Sequence, residues 1–310
     1  MESLNRMALD LVDEALDFAD ELAIEAFELD NGARVIDFGV EALGGIEAGL
    51  LLAEIQSAGL ATVASSMDDV AGAPRPVVDF STDHPALALL CAQKAGWELT
   101  VDGYEALGSG PARALVAEEE EYRQLGYADA FEFAVLSVES DVLPDEAVAE
   151  HVAERCDVSP ESVVLPTYPT ASIVGSVTTA ARAAELAVWR CFELGFDPLD
   201  LLTATARSPV APVAADEEAA IARTNDALAY GAQVHLTAES DFDAFDEVPS
   251  SAREEYGTPF AQVFDDVDWD FYEVPESVFA PAQVTVDVVG GPTRSLGRTD
   301  EDLLASSFGL

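Results

Sequence analysis

Sixty Asp and Glu residues against fourteen Lys and Arg give this 310-residue chain a formal charge of −46. That imbalance restricts the folds open to it, because burying an unpaired carboxylate is so unfavourable that nearly all of them must stay hydrated at a surface. Yet 49% of the residues are hydrophobic, enough for a large core and unlike the low hydrophobicity of disordered chains. Self-repulsion on this scale needs screening, and molar salt shortens the Debye length to about 3 Å. The expectation is a packed interior under an acid-coated surface, suited to a salt-rich cytoplasm. Acids gathered in one tail would instead suggest a nucleic-acid mimic. Here they are spread, and the longest run, Glu118–Glu121, reads as a solvated loop or helix start.

A surface this negative argues against direct contact with nucleic acid or an anionic membrane. No apolar run approaches the length of a membrane span. The opening MESLNRMALDLVDEALDFADEL is an amphipathic acidic helix and not a signal peptide. Cys91, Cys156 and Cys191 are far apart and odd in number, so they read as reduced, buried thiols.

Hydrophobic periodicity predicts a first helix over residues 4–22. A hairpin follows in AFELDNGARVIDFGV, turned by Asn31-Gly32. A helix is predicted around GLLLAEIQ, with strands at 60–65, 76–81, 97–101 and 131–138 and helices at 84–95, 111–119 and 144–156. The second half opens with strand VVLPTYP and a long helix beginning near Ser172. Helix 216–229, strand QVHLTAE and a terminal strand-and-helix segment complete it, and residues 240–256 read as an exposed excursion. Helices and strands alternate while hairpins interrupt, which predicts a mixed α/β chain of two domains, 1–165 and 166–310, and no regular Rossmann fold. No G-x-G-x-x-G fingerprint, Walker loop or nucleophile elbow is present. His84, His151 and His235 lack partners at ligand spacing, so no metal site is expected.

With acids everywhere, the surviving cations are informative. The lone lysine, Lys94, lies in TDHPALALLCAQKAGW, and Arg113 lies in GSGPARA. There Ser109 stands near a cap and Pro111 suits a first helical turn, a start whose backbone N–H groups can bind an anion. Asp83, before Pro85, has the same character. In TASIVGSVTTAARAAE, helical spacing places Ile173, Val177, Ala180, Ala184 and Cys191 on one stripe. Gly175, Thr178 or Thr179, Arg182, Glu185 and Trp189 share another. Small residues at its start permit close approach of a ligand, and a cation and a carboxylate stand one turn apart at its end. An exposed i,i+3 pair would be the ordinary reading, contributing a few tenths of a kcal/mol. The scarcity of arginine and its small, apolar surroundings favour a functional pair.

On these motifs the chain resembles the methenyltetrahydromethanopterin cyclohydrolases. The resemblance runs nearly end to end, through NGARVIDFGVEALGGIEAGL, TDHPALALLCAQKAGW, GSGPARA, LPDEAVAEHVAERC, PTASIVGSV, SPVAPVA, RTNDALAYG, VFAPAQVTV and the closing SFGL. Two departures stand out: Ala58-Gly59 where two glycines are expected, and Arg207-Ser208 where smaller residues are expected. The resemblance implies reversible hydrolysis of the methenyl bridge of a reduced pterin to the 5-formyl compound, without a metal or other cofactor. It also implies a homotrimer of two-domain subunits with the substrate in a cleft between domains. Arg182 and Glu185 match the family's catalytic pair. Lys94, Ser109, Arg113 and Arg223, with Asp83 and Ser172, are expected to hold the pterin or its anionic tail. Methenyl-tetrahydrofolate is the alternative carrier, and a non-catalytic pterin- or nucleotide-binding trimer is the alternative of a different class.

Overall fold

The computed structural model describes residues 2–269 and 274–310. The chain is mixed α/β, as the alternation predicts, with two mixed sheets among the described residues and no barrel. It divides into two compact units, Met1–Thr62 with Leu87–Thr178, and Val63–Ala86 with Thr179–Leu310.

The first unit is built on a seven-stranded sheet. Its hairpin forms where Asn31-Gly32 predicts it: β1 (Glu25–Glu28) pairs antiparallel with β2 (Arg34–Asp37), and Gly32 takes φ 87° at the turn. The β3 (Thr62–Val70) and β4 (Ala73–Thr82) strands belong to the other sheet, and the first sheet resumes with β5 (Ala95–Val101) and β6 (Tyr104–Ser109). Short β7 (Ala134–Val135) and β8 (Ser137–Glu139) lead to central β9 (Val163–Tyr168), every residue of which is buried. The strand order is β1-β2-β9-β8-β6-β5, with β7 also on β9. Parallel pairing of β9 with β2 and β8 explains its continuous apolar character, since such strands are covered on both faces. Asp145 caps the helix Glu146–Cys156 through the backbone N–H groups of Ala147 and Val148. That helix covers one core with Val148, Ala149 and Val152. The first helix packs a second core with Ala8, Val12 and Ala15. It spans Leu4–Asp17 and is followed by a separate turn, Ala19–Leu22, because Phe18 departs from helical geometry.

In the second unit the order is β13-β12-β11-β10-β4-β3. The strands β10 (Leu201–Pro209), β11 (Gln233–Ala238), β12 (Gln283–Val288) and β13 (Thr293–Gly297) come late in the chain, whereas β3 and β4 come early. The grouping therefore differs from a single division at 165/166: β4 pairs antiparallel with β10, Thr82 opposite Ala204 through Val77 opposite Pro209, which draws Val63–Ala86 in with the later residues. The unexpected Arg207 has a partner here. It lies opposite Asp79 and is bonded to it at 2.7 Å, with Asp68 at 3.2 Å. Residues 240–256 are not an exposed excursion throughout, because Phe245 is fully buried and packs its ring at a tilt on Phe196 and edge-on against Phe242. No helix among the described residues is long and apolar enough to cross a membrane.

Candidate active site

The long helix expected from Ser172 is two helices, Ile173–Ala180 and Ala183–Glu193. No Gly or Pro marks the break. The N–H of Arg182 turns back to the carbonyl of Thr179 (3.0 Å), and the Arg182 carbonyl accepts from Leu186 (3.0 Å) to start the second helix. Arg182 is thus the cap residue, and Glu185 falls in the first turn, where the helix dipole favours a carboxylate. Arg182 Nη1 donates to Glu185 Oε2 at 2.9 Å. The pair is not exposed, as an ordinary surface pair would be: relative exposure is 8% for Arg182 and 4% for Glu185. A charge-assisted bond removed from water is stronger and better fixed than its surface counterpart.

The apolar stripe of these helices holds at Val177, Ala180, Ala184 and Cys191, which are buried, and fails at Ile173, which is 37% exposed. The small residue Gly175 serves chain packing and not open space. A Cβ there would lie 2.3 Å from the Pro169 carbonyl oxygen, so helix and loop backbones touch. Ser172 fastens the same junction, donating its hydroxyl to the Pro169 carbonyl (2.7 Å) and accepting from the N–H of Gly175 (2.9 Å).

GSGPARA does not present a free anion-binding helix start. The helix that follows is only Arg113–Val116, and the N–H groups of Gly110 and Ala112 donate to the carbonyls of Ala92 and Val135. Ser109 is buried and accepts from Gln56 Nε2. Arg113 is fully buried. It bonds Glu119 through Nε and Nη2, Glu121 through Nη2 (3.1 Å), and the carbonyls of Leu90 and Lys94 through Nη1. Lys94 joins the cluster, with Glu121 at 2.8 Å and Glu119 at 3.4 Å. Two cations and two carboxylates therefore balance in one knot. Burial opposes the charge on Arg113, but Tyr122, Glu119 and Glu121 outweigh it and raise its pKa. Burial also opposes ionisation of Glu119, yet Arg113 overrides it and draws that carboxyl down. Glu121 is pushed up by burial and by its hydrogen bond with Glu119. The run Glu118–Glu121 thus contains Glu121, 1% exposed, and is not simply a solvated loop.

Asp83 is exposed in the bend after β4, where the Thr82 hydroxyl accepts from the N–H of His84. Arg223 lies on the helix Glu217–Gly231, donates to the Pro212 carbonyl (3.3 Å) and acts electrostatically on Arg75. The candidates divide between the units: Lys94, Ser109, Arg113 and Ser172 in the first; Asp83, Arg182, Glu185 and Arg223 in the second. Contacts join Arg182 to Glu185 and Lys94 to Arg113.

Two polar groups escaped the sequence reading. Asp37, 2% exposed, accepts four backbone N–H groups, from Gly39, Val40, Glu41 and Ala42, and so ties the loop after β2 into one shape. The Asp-Phe-Gly spacing is the available signal, since Asp commonly turns the chain by bonding nearby N–H groups. Glu139, at the end of β8, accepts from the hydroxyls of Thr170 and Tyr168, and Tyr168 in turn meets Gln56. Nothing local in the sequence marks that network. Among the described residues no group of three or more His, Cys, Asp or Glu side chains is arranged to hold a metal ion.

Comparison with known proteins places these features in a family context. A family model described as Cyclohydrolase (MCH) matches residues 3–308. A methenyltetrahydromethanopterin cyclohydrolase of Halobacterium salinarum is 63% identical over 310 residues, covering all of both chains. Proteins of the same name from Methanoculleus marisnigri and Methanocella arvoryzae are 40% and 41% identical, covering all of this chain and 100% and 99% of theirs.

Proposed function

Because the chain belongs to the methenyltetrahydromethanopterin cyclohydrolase family and is a hydrolase of that type, we propose that it hydrolyses 5,10-methenyl-tetrahydromethanopterin to the 5-formyl compound at Arg182 and Glu185. The observation that carries this assignment is the 2.9 Å bond between the two side chains, both withdrawn from water at the start of a helix.

The bridging carbon of the substrate is a cationic amidinium, already electron-poor, so the reaction needs a positioned nucleophile more than an electrophile. Glu185 takes a proton from a water molecule as its oxygen bonds to that carbon. The product of this step is a neutral hydroxylated bridge. The bond from carbon to N10 then breaks, N10 takes up a proton, and the hydroxyl loses its own to leave the 5-formyl group. One proton is released overall. Arg182 orients Glu185 through Nη1 and stabilises the developing charge on the added oxygen. All steps are reversible, since each transfer returns along the same contacts.

Lys94, Asp83 and Arg223 keep solvent access and supply charged or polar contacts for the pterin or its tail. Ser109, through Gln56, and Ser172, through Pro169 and Gly175, fix their own loops. Sealed Arg113 acts by holding Lys94. The active form is a homotrimer, and the reaction uses no cofactor.

The test is to incubate the protein in molar KCl with methenyl-tetrahydromethanopterin and, separately, with methenyl-tetrahydrofolate while following loss of the methenyl chromophore. Loss with the methanopterin derivative is expected. Binding of both without consumption of either would leave a pterin-binding protein in place of an enzyme. Loss with the folate derivative alone would move the reaction to that carrier.

A further inference from the structure

Arg75 and Arg223 come from distant parts of the chain and meet around one short segment of the second unit. Arg75 stands on β4, beyond the last pair of its ladder with β10, Val77 opposite Pro209. There the Val210 N–H donates to the Pro76 carbonyl (3.0 Å), and Arg75 Nη2 donates to the Val210 carbonyl (3.2 Å). Arg223, on the helix Glu217–Gly231, donates through Nη1 to the Pro212 carbonyl (3.3 Å). Ala211, between those two carbonyls, is buried in the core that also holds Val77, Ala222 and Phe308. The Phe308 ring lies under Arg75, with its centroid 5.5 Å from the guanidinium carbon. Two guanidiniums are thus fixed on carbonyls two residues apart, at most about 7 Å of backbone.

This pair lacks a counter-charge. Among the described residues neither arginine forms an ion pair, although the chain carries 60 acidic residues. Asp226, one turn along from Arg223, directs its oxygens to the Phe260 N–H and the Ser307 hydroxyl. Burial first, and the charge of Arg223 second, hold the Arg75 pKa below its ordinary value. Arg75 Nε is sealed from solvent. Nη1 of Arg75 and Nε and Nη2 of Arg223 are neither sealed nor bonded within the chain, so a guest can reach them. An anion between two like charges relieves their repulsion. The planar guanidinium fork matches the oxygens of a carboxylate or phosphate, which a monatomic ion lacks.

We propose that Arg75 and Arg223 form a seat for one oxyanion group, a phosphate or carboxylate, gripped by both guanidiniums against the segment 210–212. On the reaction proposed above, that group is the anionic tail of the pterin substrate. The seat itself does not depend on that reading, because free phosphate is a second source of the same chemistry.

Two measurements on the full chain in molar KCl separate these sources. Arg75→Met, with folding checked by circular dichroism, should raise KM for methenyl-tetrahydromethanopterin about tenfold at nearly unchanged kcat, as for loss of one charge-assisted bond. KM for a methenyl-tetrahydropterin cut short of its tail should not move, and Arg75→Lys should recover part of the loss. Separately, inorganic phosphate added at constant ionic strength should raise the unfolding temperature of the wild type with a saturable component that Arg75→Met lacks. This second measurement needs no turnover, so failure of the reaction assignment leaves it standing. A KM effect confined to the tailed substrate assigns the seat to the tail. Loss of the phosphate effect without a tail-specific KM effect assigns it to a free anion. A phosphate effect unchanged in Arg75→Met, with KM unmoved or raised equally for both substrates, overturns the proposal.

Discussion

Arg182 caps a helix and Glu185 stands in its first turn, and a 2.9 Å hydrogen bond joins them with neither side chain more than a tenth exposed. The break between Ala180 and Ala183 is what allows this. In an unbroken helix the Arg182 backbone would be spent within the helix; here it closes one helix and opens the next. Replacing Arg182 by Met removes its bond to Glu185 and, on the proposed mechanism, the donor for the developing oxygen charge. The expected loss in kcat is roughly 100- to 1,000-fold, the range for one such donor. Steady-state kinetics in molar KCl, with circular dichroism to check folding, measure it.

Arg113 should matter for stability and not for chemistry. Truncating it to Met leaves Glu119 and Glu121 facing each other with only Lys94 between them. Removing one member of a buried ionic group costs about 3–5 kcal/mol. Chemical unfolding in molar KCl should show a loss of that order, while kcat measured well below the unfolding midpoint should change little and KM should rise, because Arg113 holds Lys94. A lost kcat with unaltered stability would contradict this assignment.

Asp226 ties three helices together. It accepts from the backbone N–H of Phe260 (2.9 Å) and the hydroxyl of Ser307 (2.7 Å) while riding on the helix Glu217–Gly231. Burial pushes its pKa from 3.8 to about 6, against the pull of those two donors and of Arg223. The folded state thus prefers the neutral acid. Its favourable contribution is complete below pH 4, where both states are protonated, and is lost as pH rises to 6 because the unfolded chain ionises first. A shift of about two units corresponds to roughly 3 kcal/mol. Asp226→Asn should remove this fall, so the stability difference between variant and wild type should change sharply over pH 4–6 and level off above it. A constant difference would contradict the buried-acid account.

The three cysteines should be unreactive in the native protein. Cys91, Cys156 and Cys191 are buried, and burial, the largest cause in each case, raises their pKa to about 12. The thiolate is the reacting species. Iodoacetamide at pH 8 in molar KCl should label none of them, and should label all three after denaturation. Native labelling at any one would show that its segment opens.

What the sequence made legible was local. Asn31-Gly32 specified a hairpin because a tight turn needs positive φ, and the Asp145 cap and apolar spacing specified the helix to Cys156. The catalytic candidates were legible as a spacing, Arg182 and Glu185 three apart. Their burial and the helix break between them were not, since neither Ala181 nor Arg182 carries a breaker's chemistry. Scarce cations in glycine-rich loops suggested anion binding, and for Arg113 the partners proved to be Glu119 and Glu121, carried back to it by the left-handed turn at Ala117, which no glycine marks. Strands β6, β10 and β13 went unpredicted. In β10, the polar and small residues of LLTATARSP disguise a strand that holds its place between two neighbours by backbone pairing.

The measurement closest to the central assignment is the turnover of Glu185→Gln. The amide preserves the size of the side chain and can still meet Arg182, but it cannot accept a proton from water. With folding verified in molar KCl, loss of the methenyl chromophore should slow by about 100- to 10,000-fold, as expected for removal of a general base. Turnover within a few-fold of wild type in a properly folded variant would contradict the role of Glu185.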